Sequence, residues 1–137
     1  MIRAVIDTNI LVSGLLSASG NEALVILAIN QGLMPPALTE AILAEYADVL
    51  AQPKFSFPLD QIAALMGMLR RAGELFEPPA SEPISPDPAD SKFLAGAQAA
   101  DADFLVTGNK RHFPLGAYGR TRIVSSGELL EVITREI

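Results

Sequence analysis

The chain has no cysteine and a single histidine, His112. The first absence excludes disulfides, thiolate zinc sites and cysteine nucleophiles, and the second argues against a multi-histidine metal site and a serine–histidine triad. Any metal is therefore expected to be a hard cation held by oxygen, Mg²⁺ or Mn²⁺. Long apolar runs are missing too, so no membrane span is expected. Aromatic residues make up only 6% of the chain against 50% hydrophobic residues overall. Ala, Leu, Ile and Val dominate, which favours helices packed on a small sheet over a β-sandwich. Positive charge is also scarce, and a net charge of −6 argues against a whole-surface grip on nucleic acid. A local grip stays open, because Lys110, Arg111, Arg120 and Arg122 fall within one short stretch.

What is present reads as one domain over residues 1–137, long enough to bury a core without staples. Ile2 to Ile6 is a short β-rich run that stops at Asp7 and passes at once into a helical pattern. Because Asp7 interrupts it, this segment reads as a first strand rather than a signal peptide, and a cytoplasmic protein is expected. A helix opening at Asn21-Glu22 should close at Gly32. That helix is apolar nearly all round, so it should be buried or paired with another chain. Leu33 to Leu38 is expected as a proline-limited strand, followed by helices from Thr39 to Ala51 and from Leu59 to Ala72 and an extended piece at Glu74 to Phe76. The proline-rich stretch from Glu77 to Pro88 reads as an ordered loop. A helix from Pro88 to Ala100, strands at Asp103 to Thr107 and Thr121 to Val124, and a helix from Gly127 to Glu136 complete the pattern. Such alternation predicts a three-layer α/β/α sandwich around a central parallel sheet.

Helical phase separates three acids from ordinary surface charge. After Thr39, the stripe Ile42, Leu43, Tyr46, Val49 and Leu50 is bordered by Glu45, whereas Glu40 and Asp48 lie off it. In Asp87-Pro88-Ala89-Asp90, Asp87 reads as the helix cap. Asp90 precedes Phe93, Leu94 and Ala97 by three, four and seven positions, which puts it on the buried side. It also suits the helix dipole with no further role. Asp7 sits at a strand end, where open α/β sheets bind ligands, or caps the following turn. A buried, unpaired carboxylate is costly, and one divalent ion shared by Asp7, Glu45 and Asp90 would keep all three ionised. Thr8, Asn9 and Thr107 are placed to hydrogen-bond those carboxylates or a substrate phosphate. Lys110, Arg111, Arg120 and Arg122 would hold the phosphate that an acidic pocket repels. Lys92 reads as a solvated helix charge, and His112 as a base-stacking or loop-capping residue.

Taken together, Val5-Ile6-Asp7-Thr8-Asn9-Ile10-Leu11-Val12-Ser13, Ile42-Leu43-Ala44-Glu45-Tyr46, Asp87-Pro88-Ala89-Asp90-Ser91-Lys92-Phe93-Leu94 and Ala102-Asp103-Phe104-Leu105-Val106-Thr107-Gly108-Asn109-Lys110-Arg111-His112-Phe113 resemble the PIN-domain family over nearly the whole chain. They are most similar to its toxin-like bacterial branch, the VapC ribonucleases. The resemblance implies an Mg²⁺- or Mn²⁺-dependent endoribonuclease with Asp7, Glu45 and Asp90 as its first three acids, a cognate antitoxin protein and a homodimer. A fourth acid is usual in that family after the Thr-Gly of the later strand, and here the position is Asn109. Asparagine brings a carbonyl oxygen and no charge, so a second metal would be held more weakly.

Two other readings compete. One is a PIN-like nucleic-acid or partner-binding module with weak or lost catalysis. The other is a small phosphatase, although a phosphatase pattern wants a second aspartate two residues after Asp7, where Asn9 stands.

Overall fold

The computed structural model describes residues 1–78 and 88–136. The elements are strands β1 (Ala4–Ile6), β2 (Ala37–Leu38), β3 (Glu74–Leu75), β4 (Phe104–Val106), β5 (Ala117–Tyr118) and β6 (Thr121–Val124), with helices α1 (Thr8–Leu16), α2 (Asn21–Asn30), α3 (Glu40–Leu50), α4 (Leu59–Ala72), α5 (Pro88–Ala100) and α6 (Ser126–Glu136). The body of the expected proline-rich loop, 79–87, and the Asp87 cap with it, lie outside the described residues.

Four strands form a sheet in the order β1-β4-β6-β5, and β2 and β3 pair beside it. A parallel bridge from Ala4 to Pro36 joins the two groups. Strands β1, β4 and β6 run parallel, with Ile6 opposite Val106 and Val106 opposite Val124. Their carboxyl ends therefore finish side by side, and Asp7, Thr107 and Ser125 begin the loops there. The sheet departs from the all-parallel expectation at β5, which pairs antiparallel with β6. Its two residues follow Gly116, whose positive φ of 74° turns the chain back. The strand expected at Leu33 to Leu38 is only two residues long, in keeping with the two prolines that precede it.

Helices layer on this sheet as an α/β sandwich. The core contains every residue of β1 and β4, together with Ile42, Leu43, Tyr46, Phe93, Leu94, Phe113 and Leu129. Helix α2 ends as its glycine predicts. Gly32 takes a positive φ of 78°, its amide reaches the Ile29 carbonyl, and the Leu33 amide reaches Ala28, the paired bonds of a Schellman cap. Only part of α2 is covered: Val25, Ala28 and Ile29 are buried, while Leu24 and Leu27 stay 48% and 47% exposed. Among the described residues no single helix is long and apolar enough to cross a membrane.

Candidate active site

Asp7 continues β1 by one step, its amide donating to the Val106 carbonyl at 2.9 Å. It stands at the N-cap position of α1, yet its side chain makes no capping bond. The carboxylate turns instead toward β4, where the Thr107 hydroxyl donates to Oδ2 at 2.8 Å and the Asn9 amide approaches the same oxygen at 3.4 Å. A cap alone does not account for a carboxylate aimed that way. The Asn9 carbonyl oxygen in turn accepts from the Gly108 amide at 3.2 Å, and Thr107 Oγ1 accepts from the Asn109 amide at 3.0 Å. The strand end and the following loop are thereby tied to Asp7.

Glu45 comes to the same place from α3. Thr39 caps that helix through its hydroxyl, which accepts from the Ile42 amide. The resulting phase buries Ile42, Leu43 and Tyr46 and leaves Glu40 and Asp48 exposed. Glu45 borders the buried stripe and takes a hydrogen bond from Thr8 Oγ1 at 2.6 Å. Asp90 arrives on the first turn of α5 and is 8% exposed, on the face that also buries Phe93, Leu94 and Ala97.

The structure thus brings the three acids together electrostatically. Burial is the main cause that raises the Asp7 pKa above its ordinary value, the Thr107 hydrogen bond works against it, and the charges of Glu45 and Asp90 push further upward. Two basic side chains face this negative charge from within the fold. Lys92 Nζ lies 3.0 Å from Glu45 Oε1, and His112 Nδ1 lies 3.5 Å from Asp90 Oδ1. Neither role was legible locally, because Lys92 meets Glu45 across two helices that only the fold brings together. Lys92, expected as a solvated helix charge, is instead only 28% exposed at its side chain and ion-paired.

The basic stretch divides. Lys110 and Arg111 lie in a 3-10 turn that follows Thr107 and Asn109 at the acidic end of the sheet. Contrary to the expectation that they lie beside the acids, Arg120 and Arg122 do not join them. Arg122 stands opposite Phe104, the first residue of β4, three positions and about 10 Å along the strand from Thr107. Arg120 is held at that same far end by Asp101 and Asp103. The reason is the direction of β6, which starts where β4 starts and reaches the acidic end only at Val124.

The chain belongs to the PIN-domain family, whose sequence profile matches residues 3–111. The fold is accordingly of nuclease type. No curated protein and no solved structure shows a significant match to the chain. The donor chemistry suits a hard divalent ion, being carboxylates with hydroxyl and amide oxygens and no sulfur. The ligand geometry is not preformed, since among the described residues no group of three acidic or imidazole side chains is arranged to hold an ion. Glu45 and Asp90 face Lys92 and His112 instead.

Proposed function

We propose that the protein is a divalent-metal-dependent endoribonuclease, acting as the toxin of a toxin–antitoxin pair. The observation that supports this reading best is geometric: Asp7 at the end of β1 is held by the Thr107 hydroxyl at the end of β4 and Glu45 by the Thr8 hydroxyl next to Asp7, with Asp90 near enough for its charge to help raise the Asp7 pKa. Three carboxylates in that position hold a net negative charge that a divalent ion would neutralise. When bound, Mg²⁺ or Mn²⁺ supplies Lewis-acid polarisation of the scissile phosphate and a lowered pKa for its coordinated water.

The chain's own residues do the remainder. Asp7, Glu45 and Asp90 would hold the ion, with Asn109 offering a neutral carbonyl oxygen. Thr107 and Thr8 orient the Asp7 and Glu45 carboxylates through the hydrogen bonds described above. Glu45, the least buried of the three, would accept the proton of an attacking water as that water adds to phosphorus, and the departing strand oxygen would take a proton from solvent. Arg111, which enters no ion pair among the described residues, attracts the phosphate backbone, while Lys110 beside it is held by Glu128. Exposed Leu24 and Leu27 on α2 supply an apolar face suited to a partner chain, and a homodimer and an antitoxin protein are the partners we propose. The test is incubation with mixed single-stranded and structured RNAs in Mg²⁺, Mn²⁺ or chelator. Cuts that require the metal support the reading, and its replacement by phosphomonoester hydrolysis alone would favour a phosphatase.

Two further expectations arise here. Lys92→Met should tighten Mg²⁺ binding by about tenfold, because an ammonium no longer competes for Glu45. The metal-free protein should lose about 1 kcal/mol, since Glu45 is left facing two like charges with only the Thr8 hydroxyl. Calorimetric titration and melts in chelator measure both, and unchanged metal affinity would show that Lys92 and the ion do not share Glu45. The second expectation separates the basic residues. Arg111→Gln should weaken RNA binding and reduce the slope of log K against log salt by about one. Arg120→Gln should leave both unchanged, as its charge is spent on Asp101 and Asp103 at the far end of the sheet.

A further inference from the structure

Next to Asp7, but lined by none of the three acids, the N-terminus of α6 opens on a cleft of about 670 Å³. Its walls include Thr107, Lys110, Arg111, Ser125 and Ser126, with Glu22 as the carboxylate among them. The helix start is firmly made. Ser125 Oγ accepts from the Glu128 amide at 3.1 Å, and the Ser125 amide donates to Glu128 Oε1 at 2.9 Å, a reciprocal capping box. Lys110 pairs with the same Glu128 carboxylate. Together these hold the Glu128 carboxyl down to about 2, Lys110 being the larger cause. Lys110 and Glu128 therefore occupy each other, and the capping box leaves the amides of Ser126 and Gly127 with no acceptor among the described residues.

A second observation, independent of the helix end, concerns the Ser126 side chain. Ser126 is only 7% exposed, and its hydroxyl has no hydrogen-bond partner among the described residues. No fully buried side-chain oxygen or nitrogen among those residues lacks a partner. What remains exposed of Ser126 must therefore include the hydroxyl, and Ser126 is part of the cleft wall. An unpartnered hydroxyl, the unpartnered Ser126 amide beside it at a helix N-terminus and the guanidinium of Arg111, which enters no ion pair among the described residues, belong to residues lining one space. That set offers donors and positive charge to an oxyanion.

We propose that this cleft is a phosphate subsite, built by Ser126, the α6 N-terminus and Arg111 and separate from the acids that would hold the metal. For its occupant, a phosphate of the strand being cut, the proposal rests on the nuclease reading. Thr107 links the two places: it lines the cleft while its hydroxyl donates to Asp7 Oδ2. A phosphate seated here would flank the scissile one and fix the register of the strand. Glu22 opposes such binding by like charge, which provides a substitution of opposite sign.

The test uses the full chain in chelator. Inorganic phosphate is titrated while the Ser126 and Gly127 amide resonances are followed. Those two amides should shift, and Ser126→Ala and Arg111→Gln should each weaken phosphate binding by about fivefold or more. Glu22→Gln should strengthen it, and Arg120→Gln should change nothing. Arg111 is exposed, so its variant stays informative even where Ser126→Ala fails to fold. Unmoved amides, or wild-type affinity in both the Ser126→Ala and Arg111→Gln proteins, would overturn the subsite. Short oligonucleotides with a 5′-phosphate or a 5′-hydroxyl then assign the source: equal loss for both in Ser126→Ala marks a backbone phosphate, and loss confined to the first marks a terminal one. RNA cleavage is scored separately. Ser126-dependent phosphate binding in a protein that cuts no RNA supports the subsite and defeats the nuclease reading. Metal-dependent cutting with phosphate binding indifferent to Ser126 and Arg111 does the reverse.

Discussion

Asp7→Asn protein should lose metal-dependent RNA cleavage by about a hundredfold or more, while the same protein without metal melts higher than the wild type. Loss of a hydrogen-bond partner behind a metal ligand costs roughly 10- to 100-fold, and removal of a ligand's charge should reach at least the upper end of that range. The gain in stability comes from the same carboxylate. Burial, followed by the charges of Glu45 and Asp90, raises the Asp7 pKa in the fold. A raised carboxyl pKa contributes stability that is fully present below the unfolded pKa and is lost as pH rises through the folded one. Above that window the ionised Asp7 opposes folding. The Asn substitution should therefore change the melting temperature little in acid and raise it by a few degrees near neutral pH. Asparagine also keeps the Thr107 hydroxyl supplied with an acceptor. Thermal melts in chelator across pH, alongside cleavage assays in Mn²⁺, measure both effects. A variant that melts lower at neutral pH would mean that burial and the neighbouring acids together do not penalise the ionised Asp7, and full cleavage would remove Asp7 from the site.

The largest loss of stability is expected at Tyr46, immediately after Glu45 in α3. Its ring is fully buried and lies 6.5 Å from that of Phe93, and its hydroxyl donates to the Ile6 carbonyl. One side chain thus ties α3 to both α5 and the last residue of β1, the three elements that carry Glu45, Asp90 and Asp7. Burial, with the charges of Asp7 and Glu45, raises the phenol well above its usual pKa, so it remains a donor throughout the accessible pH range. Tyr46→Phe leaves the Ile6 carbonyl short of a partner and should cost about 1–2 kcal/mol. Tyr46→Ala adds a cavity and should cost about 3–5 kcal/mol, a large share of the roughly 5–15 kcal/mol typical of a whole domain. Denaturant unfolding of the three proteins would establish the order. If Tyr46→Phe were as stable as the wild type, the Ile6 hydrogen bond would contribute nothing to the docking of α3.

How much of this was legible beforehand depends on whether the controlling physics is local. Helix phase is local: the apolar spacing around Glu45 and Asp90 set both acids at a buried border, and the burial of Ile42, Tyr46, Phe93 and Leu94 follows that spacing. Capping is local as well, and the end of α2 and the start of α3 follow from Gly32 and Thr39 respectively. By itself, then, the sequence determined the alternating elements, the positions of the three acids on them and the exclusion of sulfur- and histidine-rich chemistry. Tertiary structure alone decided what each acid faces. Lys92 meets Glu45 because α3 and α5 pack together, and His112 meets Asp90 because the turn after β4 lies over the start of α5. Strand direction was equally invisible along the chain. Arg111 and Arg122 are close in sequence, but the antiparallel turn through β5 carries the chain back to the far end of the sheet before β6 begins, so one basic stretch serves two opposite ends. A charge's partner is set by distance in space, and a local pattern records only distance along the backbone.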